Sequence, residues 1–328
     1  MISGRCGSTP TTGPAGRGAR RSSAGSTPAP SPGTSSAPGC ERTSGGASGV
    51  DRPGAGSGGV MRRPFVPIDA ALLRAVSPGW AGALRAVDDG PLDFAAAARQ
   101  HADYARALVQ AGVAVTVLPA DPRQPDCCFI EDTAVVVGRH ALATRPGAAT
   151  RRGEVSPVVD ALVSVGCIVH RMGPPATLEG GDVLRVGDVL YVGLSQRTNR
   201  AGVEALAAVA ALEGLVVKPV ELGDAMHLKG GVTLADADTA VVDADVVDPA
   251  QVAGWGLSVI EAAEPVGANV LALGRGRVLV PAEAPATAER LRRRGLAVRT
   301  VEGAALHRAD GRLTCLSLRL PRPGGWCA

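Results

Sequence analysis

Aromatic residues are scarce in this chain of 328 residues, of which phenylalanine, tyrosine and tryptophan together make up only 2%. Apolar residues nevertheless account for 45% of the sequence, enough to bury a substantial core. We therefore expect a core built from valine, leucine and alanine. The length suits one large domain or two domains of ordinary size.

An excess of positive charge is also missing from most of the chain. The formal net charge is +3, but residues 1–60 alone carry six arginines against one glutamate and one aspartate, a net +4. Residues 61–328 are therefore left with −1. A surface of this charge does not attract a phosphate backbone, so we expect no nucleic-acid partner.

The cysteines show neither the spacing of a disulfide framework nor that of a structural zinc site, because their number is odd and no CxxC pair occurs. The N-terminus lacks the apolar run of a signal peptide, and no uncharged stretch is long enough to span a bilayer. These features predict a reducing, cytoplasmic compartment and no membrane association. The seven cysteines are Cys6, Cys40, Cys127, Cys128, Cys167, Cys315 and Cys327.

Residues 1–60 consist almost entirely of glycine, serine, proline, threonine, alanine and arginine. Such a segment cannot bury enough apolar surface to offset its ordering entropy, so we predict a disordered tail. Patterned sequence begins abruptly at Met61, which suggests that the tail reflects an over-long start-site assignment. Gly54-x-Gly56-x-x-Gly59 matches a dinucleotide-binding fingerprint, but no strand precedes it, and chance in a glycine-rich tract explains it better.

From residue 61 the chain alternates short apolar strands with amphipathic helices. The order is strand–strand–helix–strand, repeated, whereas a doubly wound sheet would show one strand per helix. This rhythm predicts an α/β protein made of several small mixed sheets around an axis. Helices are predicted at 92–111, 151–165, 198–212 and 283–294. Strands are predicted at 113–118, 133–138, 140–144, 166–171, 183–186, 189–193, 214–219, 239–243, 269–273, 277–280, 296–301 and 313–320.

Two segments place carboxylates next to apolar strands. In PDCCFIED, residues 125–132, Asp126, Glu131 and Asp132 lie so close that they repel unless a cation binds among them or some are protonated. Because a buried strand follows directly, this placement favours a cation site over an exposed turn. In TLEGGDVLRVG, residues 177–187, two carboxylates flank a glycine pair, and a simple β-turn explains them equally well.

Two further segments carry a histidine and a cysteine. His227 begins an apolar strand, where a lone histidine is more often a core residue than a catalyst. Cys315 falls in an alternating strand, where packing alone could explain it, and three other cysteines have equally apolar settings. One cysteine, one histidine and several carboxylates on separate segments are nonetheless what a thiol hydrolase requires.

These segments together resemble the dimethylarginine dimethylaminohydrolases, members of the guanidino-modifying pentein superfamily. The resemblance runs from about Met61 to about Leu320. It implies one catalytic domain, residues 61–321, folded as a five-bladed α/β propeller of ββαβ modules, with a short tail at 322–328. The motifs that carry it are LPADPRQPDCCFIEDTAVV, TRPGAATRRGEV, TLEGGDVLRVGDVLYVGLSQRTNRAG, MHLKGG and DGRLTCLS.

The resemblance implies hydrolysis of Nω,Nω-dimethyl-L-arginine, or monomethylarginine, to L-citrulline and dimethylamine or methylamine through a covalent thiouronium intermediate. Cys315 matches the nucleophile and His227 the general acid and base. Glu179 and Asp132 match carboxylates that grip the guanidinium group. No cofactor and no metal are implied, although Zn²⁺ bound to the thiolate would inhibit.

The other implied substrate contacts surround the amino-acid end of the ligand. An arginine pair matches the residues that hold the α-carboxylate, with the bidentate geometry that lysine lacks. Asp126 matches a residue near the α-amino group, and Glu131 lines the same pocket. The complete set of implied substrate-binding residues is Leu84, Asp126, Glu131, Asp132, Arg151, Arg197 and Ala309.

Several alternatives remain open. A deiminase acting on unmethylated arginine, or an amidinotransferase, would use the same fold and cysteine, whereas the arginine pair argues against agmatine, which has no carboxylate. A non-catalytic pentein binding module would lack the nucleophile and the acid, and this chain retains both. A thiol enzyme of unrelated fold conflicts with the ordered series of motifs. A homodimer formed through exposed blade faces is a further expectation.

Overall fold

The computed structural model describes residues 68–320 of the protein. The predicted tail at 1–60 with its glycine pattern, and the predicted C-terminal tail at 322–328, lie outside the described residues. Within residues 68–320 no helix has both the length and the apolar character needed to cross a bilayer.

Fifteen strands form five three-stranded sheets in this described part of the chain. The strands are β1 Ala70–Arg74, β2 Ala114–Leu118, β3 Ala134–Val137, β4 His140–Ala143, β5 Ile168–Arg171, β6 Val183–Val186, β7 Val189–Leu194, β8 Val216–Glu221, β9 Val232–Leu234, β10 Thr239–Val242, β11 Ser258–Glu261, β12 Leu271–Gly274, β13 Arg277–Pro281, β14 Ala297–Val301 and β15 Leu318–Leu320. The α-helices are α1 Phe94–Gln110, α2 Val155–Ser164, α3 Arg200–Ala211, α4 Leu228–Gly231, α5 Pro249–Gly254, α6 Pro285–Arg293 and α7 Ala304–His307.

Each sheet is one blade with a single repeated topology. The central strand pairs antiparallel with the strand before it and parallel with the strand that returns after a helix. Blades 2 to 5 are β3–β5, β6–β8, β9–β11 and β12–β14 in chain order. Blade 1 joins both ends of the described chain, because β15 pairs antiparallel with β1. This arrangement confirms the predicted five-bladed α/β propeller.

Burial follows from the position of each strand in its blade. Every residue of the central strand β10 is buried, whereas the outer strand β2 has no buried residue. The long helix α1 covers blade 1 with a face that includes Ala97, Tyr104 and Leu108. Its N-terminus is capped by the carboxylate of Asp93, which accepts a hydrogen bond from the Ala96 amide.

Most predicted elements are found within two residues of their predicted limits, but the helix predicted at 151–165 begins only at Val155, after a 3₁₀ turn. β1 and β11 were not predicted, and β9 was predicted only as part of a strand that begins at His227. β9 has only three residues, too few to show a period. The predicted strand at 313–320 is wrong in its first half, because Thr314–Leu316 form a 3₁₀ turn and only β15 is extended. The Thr314 amide donates to the side chain of Asn269 instead of to a neighbouring strand.

A short helical turn precedes the first strand of every blade, and we call these five segments the entrance turns. Because they occupy equivalent positions in the repeat, they meet near the propeller axis, where the turns of several adjacent blades are in contact. All the polar residues singled out from the sequence as catalytic lie in or beside them. The entrance turns are Ile130–Thr133, Gly180–Asp182, Leu228–Gly231, Pro265–Ala268 and Thr314–Leu316.

Candidate active site

His227 is the residue that immediately precedes α4, in extended conformation, and not the first residue of a strand as predicted. The reason is the Lys-Gly-Gly sequence that follows, which forms one helical turn before β9 begins. This turn aims the imidazole at the entrance turn of the neighbouring blade. His227 Nε2 lies 2.7 Å from a carboxylate oxygen of Glu179 and 4.0 Å from Asp132 Oδ1.

The glycine pair after Glu179 is needed for this approach. A Cβ atom at Gly181 would lie 2.6 Å from His227 Nδ1, and one at Gly180 would collide with the backbone of Glu131. Only glycine therefore lets three entrance turns come this close. The segment is a 3₁₀ turn packed between two other entrance turns, and not the simple β-turn that the sequence allowed as an equal alternative.

Asp132 and Asp182 hold adjacent entrance turns together. Asp132 Oδ1 accepts a hydrogen bond from the Gly181 amide at 2.9 Å, and Asp182 Oδ1 accepts one from the Leu228 amide at 3.0 Å. Asp182 Oδ2 also accepts from the hydroxyls of Ser195 and Thr198. Both aspartates therefore use both oxygens within the protein, since Asp132 Oδ2 accepts from Arg151.

Cys315 lies in the entrance turn of blade 1, with 9% of its surface exposed. Its turn is fixed by Asn269, which accepts from the Thr314 amide at 3.0 Å and donates to the Lys229 carbonyl at 2.8 Å. Cys127, Cys128 and Cys167 are also buried and free, but none of them lies in an entrance turn. Position in an entrance turn thus separates Cys315 from the cysteines that the sequence left equivalent.

Most of the guanidinium N–H donors of Arg151 bind groups of the protein itself. Its Nη1 donates to Asp132 Oδ2 at 2.7 Å, and its Nε and Nη2 bind the carboxylate of Glu154. Nη2 also donates to the carbonyl of Phe129 at 2.9 Å. Four of the five N–H donors are used in this way, which leaves one on Nη1 for a ligand.

Arg197 has a freer guanidinium group. Its side chain is 21% exposed, and its Nη1 lies 3.8 Å from an oxygen of Glu179. Its backbone is fixed by the Ser195 hydroxyl, which accepts from the Arg197 amide at 3.0 Å. Of the two arginines singled out from the sequence, Arg197 therefore has more donors available to an incoming carboxylate.

The remaining predicted contact residues are split between two places. Asp126 is buried within charge-interaction range of Arg151 and Arg197. Its Oδ1 accepts a hydrogen bond from the Leu84 amide at 2.9 Å. Ala309 is buried in the segment that leads to Cys315. Glu131 instead binds Lys229 and Arg319 and lines an axial cavity of about 460 Å³, to which neither Cys315 nor His227 contributes.

The pKa values follow from this packing. Burial opposes the charged form of His227, but Asp132 and Glu179 outweigh it and raise the pKa of His227 to about 9. Burial likewise opposes the charge on Asp132, yet His227 and Arg151 hold its pKa at about 2. At neutral pH the site therefore contains an imidazolium next to a carboxylate.

The protein disfavours the charged form of the Cys315 thiol, whereas it favours the charged forms of His227 and Asp132. Burial raises the pKa of Cys315 to about 12, and the negative charges of Asp132 and Glu131 act in the same direction. Without a ligand Cys315 is consequently a neutral thiol at pH 7. Burial also raises the pKa of Asp126, against the influence of Arg151. A cation bound among these groups would favour the thiolate.

The cluster of Asp132, Glu179 and His227 could hold a cation. Ligand atoms of Asp132, Glu179 and His227 all lie within 4.8 Å of one another, a separation that would also suit a metal ion. His227 is already charged by its two carboxylate neighbours, however, and a metal ligand must be neutral. A planar organic cation that donates hydrogen bonds to two carboxylates fits this protonation state better.

Several residues that complete the site were not predicted from the sequence. Asn269 links two entrance turns, Glu154 pairs with Arg151, and Lys229 and Arg319 neutralise Glu131. Lys229 and Arg319 could have been recognised from the sequence, because they are charged residues inside short apolar runs. Such residues need a buried partner.

Comparisons with known proteins agree with the geometry. The family model for arginine deiminase matches residues 161–259. The N(G),N(G)-dimethylarginine dimethylaminohydrolase of Streptomyces coelicolor is 38% identical over 257 residues, which cover 78% of this chain and 98% of that protein. The enzyme of the same name from Pseudomonas aeruginosa is 35% identical over 231 residues, which cover 70% and 91%.

Solved structures give the same relationship. A mutant of the Pseudomonas aeruginosa enzyme, with serine in place of a cysteine and complexed with citrulline, has a TM-score of 0.74 at 32% identity. The match covers 78% of this chain and all of that one. The substrate-bound N-terminal domain of ArgZ, a cyanobacterial arginine dihydrolase, has a TM-score of 0.66 at 17% identity over 77% of this chain and 98% of that one, and supports the fold alone.

Proposed function

This chain belongs to the dimethylarginine dimethylaminohydrolases, hydrolases of guanidino C–N bonds, and we propose that Cys315 is its nucleophile and His227 its general acid and base. The reaction converts Nω,Nω-dimethyl-L-arginine and water to L-citrulline and dimethylamine. The observation that carries the proposal is the cluster of Asp132, Glu179 and His227 beside the entrance turn of Cys315.

Asp132 and Glu179 receive the guanidinium group. Delocalised charge makes the guanidinium carbon a poor electrophile, so it must be held in position while it is attacked. Each carboxylate is itself fixed: Asp132 by the Gly181 amide and Arg151, and Glu179 by the amide of Ala148 at 3.2 Å. These carboxylates need no reorganisation when the charge moves during the reaction.

The first half-reaction forms a C–S bond and breaks a C–N bond. The arriving cation lowers the pKa of Cys315, so the thiol loses its proton to solvent, and the thiolate attacks the guanidinium carbon to give a neutral tetrahedral adduct. His227, charged at neutral pH, gives its proton to the dimethylamino nitrogen. Dimethylamine leaves, and a cationic thiouronium remains on Cys315.

The second half-reaction uses the now neutral His227 as a base. It takes a proton from water as the water oxygen attacks the thiouronium carbon. Collapse of this adduct expels the thiolate, and the product loses its extra proton to solvent as citrulline. Cys315 takes up a proton from solvent when the product leaves. His227 is left protonated for the next turnover, so the two halves balance.

The amino-acid end of the substrate is recognised by charge. Arg197 binds the α-carboxylate, with the one remaining donor of Arg151 as its partner. Asp126 binds the α-amino group, and the Leu84 amide fixes its orientation. The backbones of Leu84 and Ala309 close the pocket. Glu131 is neutralised by two cations, and we assign it a smaller share of binding than Asp132.

Domain limits, location and assembly are part of the same proposal. We assign residues 61–321 to the catalytic domain. The four described cysteines are free and buried, which supports a cytoplasmic location. A homodimer through an exposed blade face is the proposed assembly.

The test offers the purified protein dimethylarginine, monomethylarginine, arginine and agmatine separately, and measures citrulline together with each released amine. We expect citrulline and dimethylamine from dimethylarginine, and none from agmatine because it lacks the carboxylate that Arg197 binds. Ammonia released from arginine as the fastest reaction would replace this assignment with a deiminase on the same site. No turnover of any substrate would contradict the hydrolase.

A further inference from the structure

Two half-buried histidines of blade 2 lie side by side, one on its central strand and one on its outer strand. His140 begins the central strand β4, and His170 lies in the neighbouring parallel strand β5. In the strand register His140 pairs with Ile168, so His170 is two residues further along and points to the same face. His140 Nδ1 and His170 Nε2 are 3.0 Å apart.

This separation is that of a hydrogen bond between the two rings, and it is also that of two nitrogen ligands on one metal ion. Zinc–nitrogen bonds of about 2.05 Å separate two ligand nitrogens by about 2.9 Å at a right angle and about 3.3 Å at the tetrahedral angle. The observed distance lies between these values. Both residues are half-buried, so solvent and a dissolved ion can reach them.

A carboxylate stands behind the first of these histidines. Glu213, at the end of the helical segment of blade 3, has an oxygen 3.9 Å from His140 Nε2. Metal-binding histidines commonly have a carboxylate beside their second N–H, which favours that tautomer and strengthens the ligand. At 3.9 Å Glu213 acts on His140 through its charge and not through a hydrogen bond. If Nε2 carries the proton, Nδ1 has a free lone pair directed at His170.

Glu213 is held in this position by the chain itself. The Arg139 amide donates to its Oε1 at 3.0 Å. Gly138 in the β3–β4 turn packs against the carboxylate so closely that a Cβ there would collide with it. The carboxylate is thus preorganised beside His140 by contacts that do not depend on any ligand.

We propose that His140 and His170 form a binding site for a late transition-metal ion such as Zn²⁺, with Glu213 as the outer-shell partner of His140. His140 Nδ1 and His170 Nε2 supply two ligands, and water completes the coordination. The site is separate from the substrate pocket and from Cys315. It joins the two strands of blade 2 and, through Glu213, touches blade 3.

The test measures Zn²⁺ affinity by competition with a chromophoric chelator, on the full chain carrying Cys315→Ser so that the active-site thiol cannot bind the metal. Because other cysteines remain, only the difference between matched variants reports on the site. His170→Gln in this background should weaken the tightest affinity at least tenfold. His307→Gln removes a histidine that also faces one carboxylate, Glu283, but lacks a second histidine, and should leave the affinity unchanged.

A second measurement, of Tm, distinguishes loss of the metal site from misfolding of the variant. Without metal, the Tm of the His170→Gln protein should equal that of its parent, and Zn²⁺ should raise the Tm of the parent alone, because a ligand that binds only the folded state stabilises it. Glu213→Gln should weaken affinity about tenfold. Equal Zn²⁺ affinity with and without His170 would overturn the site, and an unaltered affinity in Glu213→Gln would overturn the outer-shell role.

Discussion

The imidazole of His227 lies 2.7 Å from the carboxylate of Glu179, and the two residues come from the entrance turns of adjacent blades. Neither residue has a neighbour of opposite charge in its own turn. The charge state of the site therefore depends on the propeller bringing these turns together.

Replacement of Glu179 by glutamine should lower the pKa of His227 from about 9, because a carboxylate that favours the imidazolium is lost. His227 must carry a proton to expel the amine, so activity falls as pH rises through its pKa. The alkaline limb of the pH profile of kcat, which reports the substrate complex in which the thiolate has already formed, should therefore move to lower pH in Glu179→Gln, and kcat itself should fall about 10²- to 10³-fold.

The control is Glu221→Gln, which removes an exposed carboxylate paired with Arg200. It should leave the profile unchanged. An alkaline limb at the same pH in Glu179→Gln and the unaltered protein would show that His227 does not depend on Glu179.

The free thiol of Cys315 should react slowly at neutral pH, because burial raises its pKa to about 12. Only the thiolate is nucleophilic, so the rate of inactivation by iodoacetamide should keep rising with pH up to at least pH 9. Cys315→Ser identifies the part of the alkylation that belongs to this residue. A plateau reached below pH 7 would mean that the thiolate forms without substrate.

Replacement of Arg197 by alanine should mainly weaken substrate binding, whereas replacement of Arg151 by alanine should mainly reduce stability. Arg197→Ala removes a charge-assisted contact to the substrate carboxylate, so KM should rise about 10- to 100-fold with a smaller change in kcat. Arg151→Ala leaves Asp132 and Glu154 buried without their partner, and should lower the free energy of unfolding by about 3–5 kcal/mol. Steady-state kinetics and urea unfolding of both variants measure this contrast; equal stability of the two would contradict it.

Much of the fold follows from the sequence, because four long helices and most strands show their period clearly. Some strands were not predicted as separate elements. β9, for example, has only three residues, too few to show a period. The conformation at Thr314–Leu316 could not be predicted, because it rests on hydrogen bonds to Asn269, 45 residues away in the chain.

The site was predicted unevenly for a related reason. Residue types and their order identify Cys315 and His227 only through the family resemblance, since composition alone does not separate four apolar cysteines. Their partners are set by tertiary contacts across blades. Arg151 illustrates this, because the buried carboxylate of Glu154 takes donors that the sequence assigned to the substrate.

Stability should decrease as the solution is acidified below pH 6.5, in part because of His101. Burial in α1 lowers the pKa of His101 to about 4, and its Nε2 has no hydrogen-bond partner. The unfolded chain takes up a proton near pH 6.5 while the folded protein resists until about pH 4, so stability is present above this window and lost within it.

His101→Leu should therefore flatten the dependence of the free energy of unfolding on pH between 6.5 and 4, by up to roughly 3 kcal/mol. Burial also lowers the pKa of His307 to about 4, so part of the dependence should remain. Chemical unfolding at a series of pH values measures the slope. An unchanged slope would mean that His101 is protonated in the folded protein.

The central claim is that the reaction passes through a covalent adduct on Cys315, and acid quenching followed by mass spectrometry tests it most directly. Trypsin cleaves after Arg312 and Arg319, so Cys315 lies alone in the peptide 313–319. During turnover of dimethylarginine we predict that this peptide carries the substrate less dimethylamine, and that Cys315→Ser forms neither adduct nor citrulline. Continued citrulline production by Cys315→Ser, or an adduct on another cysteine, would contradict the account.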